Sequence, residues 1–264
     1  MDLQLKGKTA FVSGSTQGIG FAIARQLLQE GASVIINGRT AEKVNQTVEK
    51  LSRQVPGGSV SGIAADFSKA DEVQHLVKQL PHVDILINNA GIFEPKHFLD
   101  IADEEWLRFF EVNVLSGVRL SRHVLNAMLK KNWGRIIFIS SESAINIPEE
   151  MIHYGTTKTA QLSVSRGIAE LTRNTGVTVN TILPGPTRSE GVEEFIKQVA
   201  ATKHITPEQA EVEFFQTIRP SSIIQRFADV AEIANLVTFI ASPLSSATNG
   251  ASLRADGGVL KTIF

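Results

Sequence analysis

Cysteine is absent from this chain of 264 residues, which removes disulfides, thiolate catalysis and cysteine-based zinc sites together. The six histidines are scattered, with no ligand spacing such as H-x-x-x-H, so no metal site is expected. No apolar run approaches the ~18 residues of a membrane span. The first residues lead almost directly into a strand-like run, leaving no room for a signal peptide. Net charge is nearly nil, at −1 with a pI of 6.6, so no global field draws the chain to nucleic acid or anionic membrane. A soluble, cytoplasmic globular protein is expected, with neither nucleic acid nor membrane as a partner. Tyrosine is scarce too: Tyr154 is the only one.

What is present is a rhythm. Short apolar, β-branched runs recur at residues 9–12, 34–36, 60–64, 83–87, 135–139 and 177–183. Runs that do not alternate with polar residues suit strands buried on both faces, as in a parallel sheet. Helix-like stretches lie between them, at residues 19–30, 41–53, 70–79, 104–132 and 153–174. Repeated β-α alternation predicts an α/β Rossmann-type fold: a doubly wound, mostly parallel sheet of about seven strands, with helices on both faces. Neither repeat nor linker interrupts it, so one domain is expected over residues 1–264. Residues 186–222 break the rhythm and read as two extra helices that join no strand. An insertion at a strand's carboxyl end is a candidate substrate lid.

Glycines fill the first β-α turn. After the strand come Gly14, Ser15, Thr16, Gln17, Gly18, Ile19 and Gly20, then a helix. Their spacing is G-x-x-x-G-x-G, and they would let the backbone approach a pyrophosphate at the helix N-terminus. Strand before and helix after supply the context a dinucleotide site needs. About twenty residues on, an NAD site usually offers an acid for the ribose 2′-hydroxyl. This chain offers Asn37, Gly38, Arg39 and Thr40, with no acid before Glu42. Arg39 could instead grip a 2′-phosphate in a bidentate fork. NADP(H) is therefore favoured, with NAD(H) as the alternative.

Tyr154 has Lys158 four residues later and Ser141 thirteen earlier. On a helix, i and i+4 share a face. A nearby ammonium favours a phenolate and draws its pKa toward neutral pH from ~10. Composition alone places a lysine at that spacing in on the order of one case in fifteen.

Taken with the glycine turn, these residues resemble the short-chain dehydrogenase/reductase family over essentially the whole chain. The turn is similar to the family's T-G-x-x-x-G-I-G, with Ser13 in place of threonine. Asp66 matches the aspartate contacting adenine, with Phe67 beside it, and Asn88, Asn89, Ala90 and Gly91 form the family's N-N-A-G. Asn113, Ser141, Tyr154 and Lys158 match its catalytic asparagine, serine, tyrosine and lysine. Pro184 and Gly185 follow the sixth strand as in the family, and Asp256, Gly257 and Gly258 are a further landmark. The resemblance implies that Ser141 donates to a substrate carbonyl oxygen and that Tyr154 passes a proton to or from it. Lys158 would hold the nicotinamide ribose and lower the tyrosine pKa, and Asn113 would order a water behind the lysine. Residues 14–20, Arg39, Asp66, Phe67, Asn89, Ala90, Gly91, Pro184 and Gly185 would line the cofactor. The carboxamide grip falls to Thr187 or Ser189, because the family's threonine position is Ser189 here. A homotetramer is implied, with the 104–132 and 153–174 helices packing across subunits.

Expected pocket residues are Phe93, Ser143, Ile145, Met151 and Pro186, with Phe98, Ile147, Phe195, Phe214 and Phe215 as further apolar candidates. Such a lining would prefer a fairly apolar ketone or alcohol. Glu94, Glu149 and Glu150 would discourage anions if they point inward. His153, one residue before Tyr154, reads as structural or as pocket rim. The expected reaction interconverts a secondary alcohol and a ketone, by hydride transfer coupled to proton transfer. A 3-oxoacyl reductase-like activity or an NAD(H)-dependent alcohol dehydrogenase is the alternative within the enzyme class. A catalytically silent dinucleotide-binding regulator is the alternative outside it.

Overall fold

The computed structural model describes residues 1–263; Phe264, the last residue of the expected domain, lies outside the described residues. In chain order the first half holds β1 (Thr9–Val12), α1 (Gly18–Gln29), β2 (Ser33–Gly38), α2 (Ala41–Gln54), β3 (Val60–Ala64), α3 (Ala70–Gln79) and β4 (Ile85–Asn88). Next come α4 (Asp103–Phe110), α5 (Ser116–Lys131), β5 (Gly134–Ile139), α6 (Ile152–Glu170) and β6 (Val177–Pro184). The last part holds β7 (Thr187–Arg188), α7 (Glu190–Lys203), α8 (Pro207–Thr217), β8 (Ala228–Asp229), α9 (Val230–Ala241) and β9 (Ser252–Ala255).

Seven strands form one parallel sheet in the order β3-β2-β1-β4-β5-β6-β9. Both of its faces are apolar, which explains the unalternating runs. Ala10 and Val12 of β1, Ile85 and Ile87 of β4, and Ile137 and Ile139 of β5 pack with α1, α2 and α9. The residues between them, Phe11, Leu86, Ile136 and Phe138, pack with α3, α5 and α6 on the other side. The period of two is intact, but neither face meets water. Strand order reverses direction between β1 and β4, and the crevice beyond such a switch is where doubly wound sheets take ligands.

Three expectations need correction. The helix expected over residues 104–132 is broken: α4 ends at Phe110, a π-helical turn covers Glu111–Leu115, and α5 follows. The helix expected to reach residue 174 ends at Glu170. The 186–222 insertion does hold two helices, α7 and α8, but β7 at its root pairs with β8 beyond its end. Phe215 and Phe227, with Ile196, Ala200 and Ala210, give this insertion a small core of its own, and Phe195 and Phe214 pack onto it. Phe195, Phe214 and Phe215, counted among the pocket candidates, hold the insertion together instead.

Candidate active site

The glycine turn is welded to the end of β4. The Ser13 hydroxyl donates to the Ile87 carbonyl at 3.2 Å and accepts from the amides of Asn89 and Ala90 at 2.9 and 3.0 Å. Ser15 donates to the Val12 carbonyl at 2.7 Å. Gly14 has φ +59°, and a Cβ there would stand 2.9 Å from the Ala90 Cα. The Asn89 Nδ2 donates to the Gly14 carbonyl at 2.8 Å, and a Cβ on Gly20 would stand 2.5 Å from that nitrogen. Glycine at these two positions is thus required by close approach of the N-N-A-G turn.

Helix α1 begins without a side-chain cap, because Gln17 supplies none. Its first amide, that of Gly18, donates at 2.8 Å to a carboxylate oxygen of Glu190, the first residue of α7. A carboxylate from the insertion thus stands in for an anion at the positive end of α1. A turn with glycine at positions 14, 18 and 20, and with a helix amide already bound to an anion, fits the pyrophosphate of a dinucleotide.

At the carboxyl end of β2, the Asn37 side chain is spent on structure. Its Oδ1 accepts from the Gly14 amide at 3.1 Å and its Nδ2 donates to the Ile63 carbonyl at 3.1 Å. Arg39 stands exposed just beyond β2. Burial would raise the Asp66 carboxyl, but hydrogen bonds from Ser68 and the charges of Lys69 and Arg39 hold it below the usual carboxylate range. Arg39 and Asp66 therefore share one neighbourhood. Phe67 is buried in the α3/α5 core, so its ring is directed to packing. At the other end, Pro184 pairs with Ala255, and a Cβ on Gly185 would stand 2.5 Å from the Asp256 carbonyl oxygen. Thr187 donates to the Gly185 carbonyl at 2.9 Å, while Ser189 caps α7 by accepting from the Val192 amide. Pro186 is tied to the Ala228 amide through its carbonyl at 2.9 Å.

The serines ending β5 separate by their partners. Ser140 donates to the Lys158 carbonyl at 2.9 Å, and Ser143 donates to Glu142 at 3.2 Å. Ser141 accepts from the Ser143 amide at 3.1 Å and hydrogen-bonds Tyr154. On α6, Tyr154 is half-buried and Lys158 is buried, with the ammonium 5.6 Å from the phenol ring centroid. Lys158 Nζ donates to the Ile139 carbonyl at 2.9 Å. Burial brings the ammonium down to about 8. It pushes the phenol up to about 12, against the pull of the Ser141 hydrogen bond. The lowering of the tyrosine by Lys158 that the spacing suggested is not expressed in this arrangement. Here the ammonium is directed at the Ile139 carbonyl, and burial dominates the phenol.

Asn113 lies in the π turn, whose extra residue re-aims side chains where a regular helix would not. It is buried; its Oδ1 accepts from the Ile92 amide at 2.8 Å, and its Nδ2 donates to Thr157 Oγ1 at 2.9 Å. Gln161 Nε2 donates to the Asn113 carbonyl at 2.5 Å. A Cβ on Gly91 would sit 3.4 Å from Lys158 Nζ and 3.5 Å from Asn113 Oδ1. The N-N-A-G turn, the π turn and α6 thus meet at one point.

Around Tyr154, Phe93 lies edge-on at 6.3 Å between centroids. Ile145 and Ile147 are exposed nearby, Met151 is half-buried, and Ser143 is buried with its hydroxyl turned to Glu142. Phe98 is exposed. Glu94 pairs with Arg108 at 3.1 Å on the surface. His153 is fully buried, 4.1 Å from Phe109 and 6.0 Å from Trp106 between centroids, and neither ring nitrogen has a partner among the described residues. Its role is packing. Sequence reasoning missed Glu142 and Arg219, which form a buried ion pair at 2.8 Å beside Ser141. It also missed Thr157, Gln161 and Glu190, whose partners lie tens of residues away.

Among the described residues there is no cluster able to hold a metal and no helix long and apolar enough to cross a membrane. The short chain dehydrogenase family model matches residues 8–200. The chain is 53% identical, over the full length of both proteins, to the uncharacterized oxidoreductase YvaG of Bacillus subtilis. It is 32% identical to a D-beta-hydroxybutyrate dehydrogenase of Rhizobium meliloti, covering 95% of this chain and 98% of that one. L-Sorbose reductase from Gluconobacter frateurii, solved with NADPH and L-sorbose, superposes over 100% of both chains with a TM-score of 0.92 at 28% identity.

Proposed function

The chain belongs to the short-chain dehydrogenase family, and from that premise we propose that it is an NADP(H)-dependent oxidoreductase interconverting a ketone and a secondary alcohol through Tyr154. The observation that carries the reading is the convergence of Ser141, Tyr154, Lys158 and Asn113 at the carboxyl edge of the sheet, beside a cradle that fits a dinucleotide. A bound nicotinamide would supply the hydride donor or acceptor. The protein's part is to bind, orient and move one proton.

Residues 14–20 would hold the pyrophosphate and Arg39 a 2′-phosphate. Asp66 and the backbone at Phe67 would line the adenine end. Asn89, Ala90 and Gly91 would line the middle, and Pro184, Gly185, Thr187 and Ser189 the nicotinamide end. NADPH bound to the structural relative supports the choice of cofactor, and so does the absence of an acid from Asn37 to Thr40. Ser141, freed by the commitments of Ser140 and Ser143 elsewhere, would donate to the carbonyl oxygen. Tyr154 would give that oxygen its proton during reduction and take it back during oxidation. Lys158 is buried and within reach of the phenol face. Its ammonium becomes a stronger support for phenolate once the surrounding charge favours its protonated form. Asn113 holds Ile92 and Thr157 in place behind the lysine. The substrate would enter between Phe93, Ile145, Ile147, Met151 and the α7–α8 segment, which would act as a lid.

Leu107 and Leu115, exposed on α4 and the π turn, support a homo-oligomer formed through that face. The function is tested with a panel of neutral ketones and secondary alcohols, offered with NADPH, NADH and their oxidised forms. Turnover with the phosphorylated cofactor is the expected result. Tight NADPH binding with no turnover of any carbonyl would make the chain a silent dinucleotide-binding protein instead.

A further inference from the structure

Arg219 is a buried guanidinium that does not spend most of its hydrogen bonds on the protein. Of its five N–H donors, one on Nε goes to Glu142 Oε1 at 2.8 Å and one on Nη1 to the Ile218 carbonyl at 3.0 Å. A second carboxylate, that of Glu150, stands 3.9 Å from Nη1, beyond hydrogen-bond reach. Nη2 has no partner among the described residues, yet it is not sealed from solvent. Donors on a side chain only 9% exposed normally find acceptors. Open donors in such a place are suited to reading a ligand oxygen.

The surroundings say which oxygen. Glu142 directly follows Ser141, and its Oε2 accepts from Ser143 at 3.2 Å. Glu150 lies four residues before Tyr154, and its carbonyl accepts from the Lys96 amide at 2.9 Å. The guanidinium is thus held between a residue next to the serine and one shortly before the tyrosine. Phe93, Ile145 and Ile147 give the lining an apolar part, and Arg219 with its two glutamates gives it a polar part. A single guanidinium faces two carboxylates there. A substrate carboxylate would bring a third negative charge to a place where negative charge already exceeds positive. A plain alkyl ketone would leave the open donors without an acceptor once water is displaced. A hydroxyl accepts from the guanidinium, can donate to a glutamate, and adds no charge.

We propose that Arg219 is a specificity-determining residue whose open edge binds a substrate hydroxyl, so that the substrates are neutral ketones bearing further hydroxyls, and the matching polyols. The inference rests on the reading of the chain as a carbonyl reductase acting through Tyr154. It adds no step to the reaction; it names what is attached to the carbonyl.

The test offers the NADPH-loaded enzyme a set of four-carbon ketones: 2-butanone, 1-hydroxy-2-butanone, erythrulose, acetoacetate and 1-amino-2-butanone. kcat/KM should rise with the number of hydroxyls and be highest for erythrulose, with the anion and the amine below it. Hydroxyls also activate a carbonyl intrinsically, so Arg219→Lys makes the decisive comparison. Its ammonium keeps a positive charge opposite Glu142 but lacks the open edge. The ratio of kcat/KM for erythrulose over 2-butanone should fall by on the order of 10-fold, chiefly through the KM of erythrulose, at unchanged NADPH affinity. Glu150→Gln, at a half-exposed position, serves if the lysine variant does not fold. With one carboxylate fewer, acetoacetate should gain on 2-butanone by on the order of fivefold. An unchanged ratio in the variant that folds overturns the proposal. So does a wild type that prefers 2-butanone, acetoacetate or the amine. If the wild type reduces none of these ketones, the functional reading fails, and calorimetric titration of the NADP+ complex with threitol decides this one. Binding that weakens in Arg219→Lys upholds it; no binding, or equal binding by both proteins, overturns it.

Discussion

Ser13→Ala removes one oxygen, and the structure says what that should cost. The hydroxyl makes three hydrogen bonds, to the Ile87 carbonyl and from the amides of Asn89 and Ala90. Two of these partners have replacements. The Ile87 carbonyl also accepts from the Ser13 amide at 3.0 Å, and the Asn89 amide also reaches the Ile87 carbonyl at 3.1 Å. The Ala90 amide is buried and has no second acceptor among the described residues. One orphaned buried amide costs ~1–3 kcal/mol, and the lost shared bonds add about 1. A loss of roughly 2–4 kcal/mol is expected, measured as a shift in the denaturant midpoint at unchanged slope. Because Ala90 buttresses Gly14, cofactor affinity should fall as well. Ser13→Thr, which keeps the hydroxyl, should stay close to wild type in both measurements. If Ser13→Ala matches wild-type stability within ~0.5 kcal/mol, the accounting of the turn is wrong.

Arg39→Asp should weaken NADPH by on the order of 10- to 100-fold, the worth of a charge-assisted contact, and leave NADH far less affected. Equal losses for both cofactors would remove the 2′-phosphate assignment. Glu190→Gln should tighten dinucleotide binding by roughly two- to fivefold, since a charged competitor leaves the helix terminus. Weaker binding would mean that the glutamate helps the cofactor. Lys158 gives a pH signature. Burial brings its ammonium down to about 8 from the ordinary lysine value of 10.5, so between those values the unfolded chain binds the extra proton. Stability should therefore rise as pH climbs through that window, and Lys158→Met should abolish the rise. A flat wild-type curve over that interval would contradict the burial argument.

Much of the scaffold can be read from residue order alone. β1, β4 and β5 reveal themselves as runs because both sheet faces are apolar, and the glycine turn does so because strand and helix frame it. β9 is different. Ser252–Ala255 is a short edge strand with exposed and half-buried positions, so it forms no apolar run. The π turn at Glu111–Leu115 is invisible to a helical pattern, since one extra residue barely disturbs the periodicity over residues 104–132. Side-chain partnerships are hidden in the same way. The choice among Ser140, Ser141 and Ser143 rests on partners brought in by α6 and by Glu142. The Glu142–Arg219 pair depends on where a 77-residue excursion returns. Phe214 and Phe215 show the converse, because an aromatic-rich insertion is as able to build its own core as to line a pocket.

The central claim is that Tyr154 carries the proton in a nicotinamide-linked carbonyl reduction. It is tested most directly by Tyr154→Phe, measured beside wild type for NADPH affinity and for the rate of cofactor oxidation with a ketone that wild type turns over. The account predicts affinity within about twofold and a rate lower by on the order of 10²–10⁴, the usual worth of a positioned general acid. A phenylalanine variant that kept a near wild-type rate would contradict it, because the chain has no second phenol to take the role.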